Sequence, residues 1–140
     1  MSGNGQKCVL VIDGALPAGV AANTAAILGI TLGKRFPEIV GPDVADAAGR
    51  IHAGITGSPI PILKGDRALL RDLRERLFTE EFSGLLAVDF SDVAQRCRVY
   101  DEYVSGAAAA FPEEFSYYGL AICGDAKKVS RLTGSLPLLR

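Results

Sequence analysis

The sequence predicts one α/β domain spanning residues 1–140: three layers, with a mixed, mostly parallel four-stranded sheet between helices on both faces. Three observations lead there. Residues 7–13, 60–64, 85–89 and 117–123 are short, almost continuously apolar runs, the pattern of strands buried on both faces. Stretches of helical spacing stand between them, and strand–helix–strand succession predicts right-handed crossovers. The 140 residues are about one domain's worth of chain, and 49% hydrophobic against 22% charged is an ordinary globular balance.

The first run, KCVLVID, is β-branched and ends at Asp13. Pro17 follows where a helix starts well, because its missing N–H is one of the unsatisfied groups of a first turn anyway. The helix is expected to end at Leu32, with Gly33 as the residue after the cap and Lys34 and Arg35 complementing the dipole. Being apolar nearly all round, it is expected to be buried. Asn23 would then be a buried amide in need of partners.

Residues 36–61 are the least regular part, with four of the seven prolines and Gly41, Gly49, Gly54 and Gly57. Short strands are expected at 38–40 and 50–55. A connection this long is uncommon in a compact domain, and it is expected to serve function rather than merely to cover the sheet.

Residues 60–64 (IPILK) form the next strand, with Pro61 pointing to an edge or an early strand position. Asp66 is the expected N-cap of a helix over 67–79, whose Leu69, Leu70, Leu73 and Leu77 repeat at helical spacing. Its Arg67, Arg71, Arg74 and Arg76 alternate with Asp72 and Glu75, which predicts a solvated face of i,i+4 pairs. Strand 85–89 (LLAVD), a helix over 92–104, strand 117–123 (YYGLAIC) and a short helix over 125–133 complete the order. The tail LPLLR is apolar enough to pack down.

Fifteen basic and sixteen acidic residues nearly cancel, so no nucleic-acid partner is expected. The most apolar stretch, residues 20–32, is well short of the ~20 residues a bilayer needs and is interrupted by polar side chains, so no membrane association is expected. Cys8, Cys97 and Cys123 lack CxxC or zinc spacing, which predicts free thiols and a cytoplasmic location. The single histidine and the absence of EF-hand spacing predict no metal and no cofactor. Gly14 to Gly19 has phosphate-loop spacing, but Val20 and Ala21 follow where Lys and Ser/Thr would be required.

Ligands of open α/β sheets bind beyond the carboxyl ends of the strands. Asp13 and Asp89 close two strands, and parallel strands would bring both carboxylates to one edge as an acid/base pair. His52 is the first choice for proton transfer near neutral pH, with Asp46 and Asp43 placed to orient it. Tyr100, Asp101 and Tyr103 form a polar-aromatic cluster suited to a pocket wall or a subunit contact.

With these elements in order, the chain resembles the peptidyl-tRNA hydrolase II fold family, and more closely an uncharacterised bacterial family of that fold. The resemblance rests on CVLVID leading into VAAN, on PILKGDRALLRDL, on LAVDF, and on GLAICGDAKKVSRLTGSLPLL. VAAN stands where the hydrolases carry an alanine-alanine-glutamine motif, so Asn23 matches the glutamine. Asp89 matches a site aspartate, whereas the position of the catalytic lysine is Gly19. Ser91 and Thr133 are candidate nucleophiles by analogy of place alone, with no base beside either. The resemblance implies that fold without its full catalytic set, and a homodimer by analogy with its members. The leading expectation is a small polar ligand held by Asp13, Asn23, Asp46, Asp89 and Tyr100. The alternatives are an ester or amide hydrolase using His52 and Asp89, and a homo-oligomeric interaction protein.

Overall fold

The computed structural model describes residues 5–140. Strand β1, Gln6–Asp13, is followed by helix α1, Ala18–Arg35, and by a hairpin of two short strands, β2, Val44–Ala45, and β3, Ile51–His52. Strand β4, Ile62–Gly65, then leads to helix α2, Arg67–Leu77, and strand β5, Leu86–Ser91. Helices α3, Asp92–Gln95, and α4, Tyr100–Ala109, precede strand β6, Tyr117–Asp125, and the final helix α5, Ala126–Thr133.

The main sheet has the order β4-β1-β6-β5. Alternation along the two central strands sorts the core into two layers. Val9 and Val11 of β1, with Leu120 and Ile122 of β6, pack against Leu70, Leu73 and Leu77 of α2 and Val129 and Leu132 of α5. Leu10 and Ile12, with Ala121 and Cys123, pack against Leu28 and Leu32 of α1. Helices on both faces are why the first run reads as continuously apolar.

The sheet is mixed but not mostly parallel. β1–β4 is a parallel ladder, whereas β1–β6 and β5–β6 are antiparallel. The last strand inserts between β1 and β5 and runs against both, a direction that the apolarity of a strand does not encode. β4 stands at one side of the sheet, as Pro61 suggested, and the tail covers it: Leu63 bridges Leu138, and Leu139 N–H donates to the Ile62 carbonyl. Among the described residues, the outer side of β5 carries no paired strand.

Helix α1 departs from expectation twice. It runs through Gly33 to Arg35, because Leu32 is fully buried and its carbonyl accepts the N–H of Phe36. It is also buried on one face only: Thr24, Leu28 and Leu32 are inside, while Gly19, Ala22, Asn23, Ala26 and Ile30 face out. Alanine and glycine carry too little apolar surface to demand burial. The close approach of α1 to the sheet is set by Gly119, where a Cβ would stand 2.7 Å from Ile12 Cδ1 and 2.8 Å from Thr24 Cγ2.

Asp66 caps α2 as expected, its Oδ1 accepting from Leu69 N–H at 2.8 Å. The expected helix over 92–104 is split into α3 and α4. Of the short strands expected in the irregular connection, the one at 50–55 contains β3, paired antiparallel with β2, whereas Pro37–Ile39 forms a single 3-10 turn in place of a strand at 38–40. Val40 bridges Thr56, Gly41 N–H donates to the Ile55 carbonyl, and Gly54 N–H donates to Asp43.

Cys8 and Cys123 are not free thiols. They are directly opposite in the β1–β6 ladder, 4.1 Å apart at Cα, and are joined by a disulfide. Cys97 is the free cysteine. No helix among the described residues is long and apolar enough to cross a membrane.

Candidate functional site

Asp89 lies on the face of β5 that looks toward α2. Arg74 of α2 donates from Nε to Asp89 Oδ2 at 2.8 Å, with side-chain exposures of only 13% and 18%. The Arg74 guanidinium also stacks over the Phe78 ring at 3.9 Å. The pairs expected along a solvated α2 face are thus partly replaced by tertiary ones. Arg71 likewise leaves for the carbonyls of Glu113 and Phe115.

Beside this ion pair is a cavity of about 400 Å³ at the outer side of β5. It is lined by Ile27 and Thr31 of α1, by Val88 to Phe90, and by the turn from Cys97 into α4, with Tyr100 and Tyr103. The two tyrosine rings meet edge to face at 5.6 Å. Burial, and secondarily the Asp89 charge, push the Tyr103 hydroxyl above its ordinary pKa of 10.0, so it stays a proton donor. Tyr117 is raised for the same two reasons in the same order.

The structure brings together three of the residues singled out from sequence, Asp89, Tyr100 and Tyr103. The others lie apart. Asp13 ends β1 and turns inward on its own loop, its Oδ1 accepting from Ala15 N–H at 2.9 Å. β6 stands between β1 and β5, and Asp89 is level with Val11 across Leu120, so Asp13 lies two strand spacings away and two residues further along, more than about 10 Å. They make no proton-sharing pair. Asn23 is exposed on the outer face of α1, and the buried polar neighbour is Thr24, bonded to the Val20 carbonyl.

His52 sits exposed on the β2–β3 hairpin. Its Nε2 is 2.9 Å from Asp46 Oδ2, so Asp46 does orient it. The same carboxylate accepts the N–H groups of Ala48 and Arg50. The hydrogen bond from His52, ahead of those from the backbone, holds Asp46 below its ordinary carboxylate pKa. Neither His52 nor Asp46 lines the cavity beside Asp89. Ser91 and Thr133 are buried, and Thr133 donates to the Val129 carbonyl.

Sequence reasoning missed Arg74 as a site residue, and Tyr103 figured only as part of a cluster. Nothing in a helix of alternating charges marks which arginine turns inward. Among the described residues no group of three or more His, Cys, Asp or Glu side chains is arranged to hold a metal ion.

These features define a small mixed α/β protein with a tyrosine-lined cavity at its outermost strand. The chain belongs to the family described as protein of unknown function, DUF2000, whose model matches residues 6–140. A solved structure of a protein of unknown function from Agrobacterium tumefaciens superposes with a TM-score of 0.85 at 19% identity, covering 96% of this chain and 97% of that one. At that identity the likeness speaks for the fold alone. No curated protein matches the sequence.

Proposed function

We propose that the protein binds a small polar ligand in the cavity between β5, α1 and α4. The observation that carries this reading is the convergence of Asp89, Tyr100 and Tyr103 on one concave site. About 400 Å³ suits a small ligand, and an apolar wall with a few placed polar groups is the usual make-up of such sites. The outer side of β5 adds backbone groups with no partner strand, able to hydrogen-bond a bound molecule. Arg74 offsets the Asp89 charge, so the reading favours a neutral, hydrogen-bonding ligand over a bare cation.

The likeness to the peptidyl-tRNA hydrolase II fold belongs to this proposal as a relation of fold. It is supported by the strands and helices that fall on the matching segments. Hydrolysis of an ester or amide has less support, because His52 is engaged with Asp46 and Gly19 replaces the lysine. The near-cancelling charge supports the absence of a nucleic-acid partner, while the cytoplasmic location keeps only the free thiol of Cys97 in its support, since Cys8 and Cys123 are joined. A homodimer is supported by exposed apolar side chains on two helices, Ile30 of α1 and Val104 of α4. Light scattering tests that part, and a monomer at all micromolar concentrations removes it.

The test of ligand binding is a thermal-shift screen of polar metabolites against the wild type and Tyr103→Phe. A compound at 100 times its Kd stabilises by about 2.7 kcal/mol, enough to raise Tm by several degrees. Hits are expected whose shift is reduced in Tyr103→Phe. Hits that ignore this substitution and Asp89→Asn alike place the ligand elsewhere.

A further inference from the structure

A second cavity, of about 470 Å³, lies at the opposite end of β1, under the connection between α1 and β4. Phe36, Ile39, Pro59, Ile60 and Pro61 give it apolar walls, and both Cys8 and Cys123 line it. The disulfide is therefore placed against a space a small molecule can enter. The bridge is not what holds its strands together, since the β1–β6 ladder runs unbroken through it from Gln6↔Asp125 to Ile12↔Gly119. Seven ladder positions keep the two sulfurs facing each other whether bonded or not.

We propose that Cys8 and Cys123 form a thiol–disulfide exchange site whose substrate is a small organic thiol with an apolar body, seated in this cavity. Cys8 is the half-buried member and Cys123 is almost fully buried, so the incoming thiolate attacks Sγ of Cys8. The S–S bond breaks, its electron pair passes to Sγ of Cys123, and that sulfur takes up a proton. Cys8 then carries a mixed disulfide with the substrate. A second substrate thiolate attacks the substrate sulfur of that mixed disulfide, releasing the substrate disulfide and the Cys8 thiol. In sum, one protein disulfide and two thiols become one protein dithiol and one small disulfide. The reverse direction consumes a small disulfide. The apolar walls select for the body of the substrate, and the β1–β6 ladder returns the two sulfurs to bonding distance after each turn.

The site is independent of the Asp89 cavity, and its test needs no ligand there. Oxidised wild-type protein is treated with 2-mercaptoethanol, quenched with acid, and its thiols are counted by intact mass while circular dichroism reports the fold. The disulfide is expected to open in the folded protein, and Ile60→Trp, which fills the cavity, is expected to slow opening roughly tenfold relative to the same reaction in urea. Cys123→Ala treated with hydroxyethyl disulfide is expected to hold a mixed disulfide that peptide mapping places on Cys8. Opening only under unfolding conditions overturns the proposal, as does an adduct confined to Cys97. Equal rates in wild type and a folded Ile60→Trp overturn the role of the cavity. If Cys123→Ala does not fold, the wild-type rates alone decide.

Discussion

Arg74 Nε lies 2.8 Å from Asp89 Oδ2, tying α2 to the outermost strand of the sheet through a pair that is mostly shielded from water. A shielded charge that loses its partner is left costly to bury, so the two substitutions are not equivalent to the sum of surface changes. Arg74→Ala is expected to destabilise by about 2–4 kcal/mol, and Asp89→Asn by less because the amide still accepts a hydrogen bond. A double-mutant cycle in urea is expected to give a coupling energy of about 1–3 kcal/mol. Additivity within error would mean the pair is held no better than an exposed one.

The same aspartate raises the Tyr103 hydroxyl, after burial. A raised pKa means the folded state favours the protonated phenol. The associated stability is present below the ordinary value of 10.0 and is lost as pH rises through the higher folded value. Tyrosine ring NMR titration is expected to show Tyr103 ionising above 10.0, and earlier in Asp89→Asn, where the opposing charge is gone. An unchanged titration in that variant would separate Asp89 from the tyrosine.

On the hairpin the sign reverses. Asp46 is held below its ordinary value of 3.8, first by the bond from His52, so the folded hairpin favours the carboxylate. Its contribution is present above 3.8 and disappears as pH falls through the lower folded value. Carboxyl NMR of His52→Ala is expected to show Asp46 moving up toward 3.8, without change at the Asp89 cavity. A coupled response at Tyr103 would show that the two clusters communicate after all.

Gly119→Ala tests how α1 is seated. The added methyl meets the Ile12 and Thr24 methyls and, at 3.1 Å, the Val11 carbonyl oxygen, which cannot swing away. Overpacking of this kind costs about 1–3 kcal/mol, read as a lower urea midpoint at unchanged slope. Wild-type stability would mean α1 moves freely on the sheet.

Burial was legible in the sequence wherever it left a periodic or continuous apolar mark. The runs at β1 and β6, the leucine spacing of α2 and the Asp66 cap all reported it directly. Strand direction left no such mark, which is why the antiparallel insertion of β6 between β1 and β5 was not foreseen. The outer face of α1 was misjudged because alanine and glycine are equally at home in and out of water. The long connection was expected to serve function, and its residues do form a cavity wall, but around the cysteines rather than around His52. That the two cysteines face each other depends on strand register, which their distance of 115 residues along the chain conceals. Asp89 and Tyr100, which line one cavity, stood out in the sequence because a strand-end carboxylate and a tyrosine cluster are chemically conspicuous. Arg74 could not, since its inward turn is decided by the edge position of β5.

The most direct measurement for the proposed ligand site is residue-resolved NMR of the wild type titrated with a polar metabolite that raises its Tm. Shift changes are expected to gather on Val88, Asp89, Phe90, Cys97, Tyr100 and Tyr103, with Thr31 of α1 following. Changes gathered instead on the β2–β3 hairpin around His52, or around Cys8 and Ile60, with the β5 cavity silent, would contradict it.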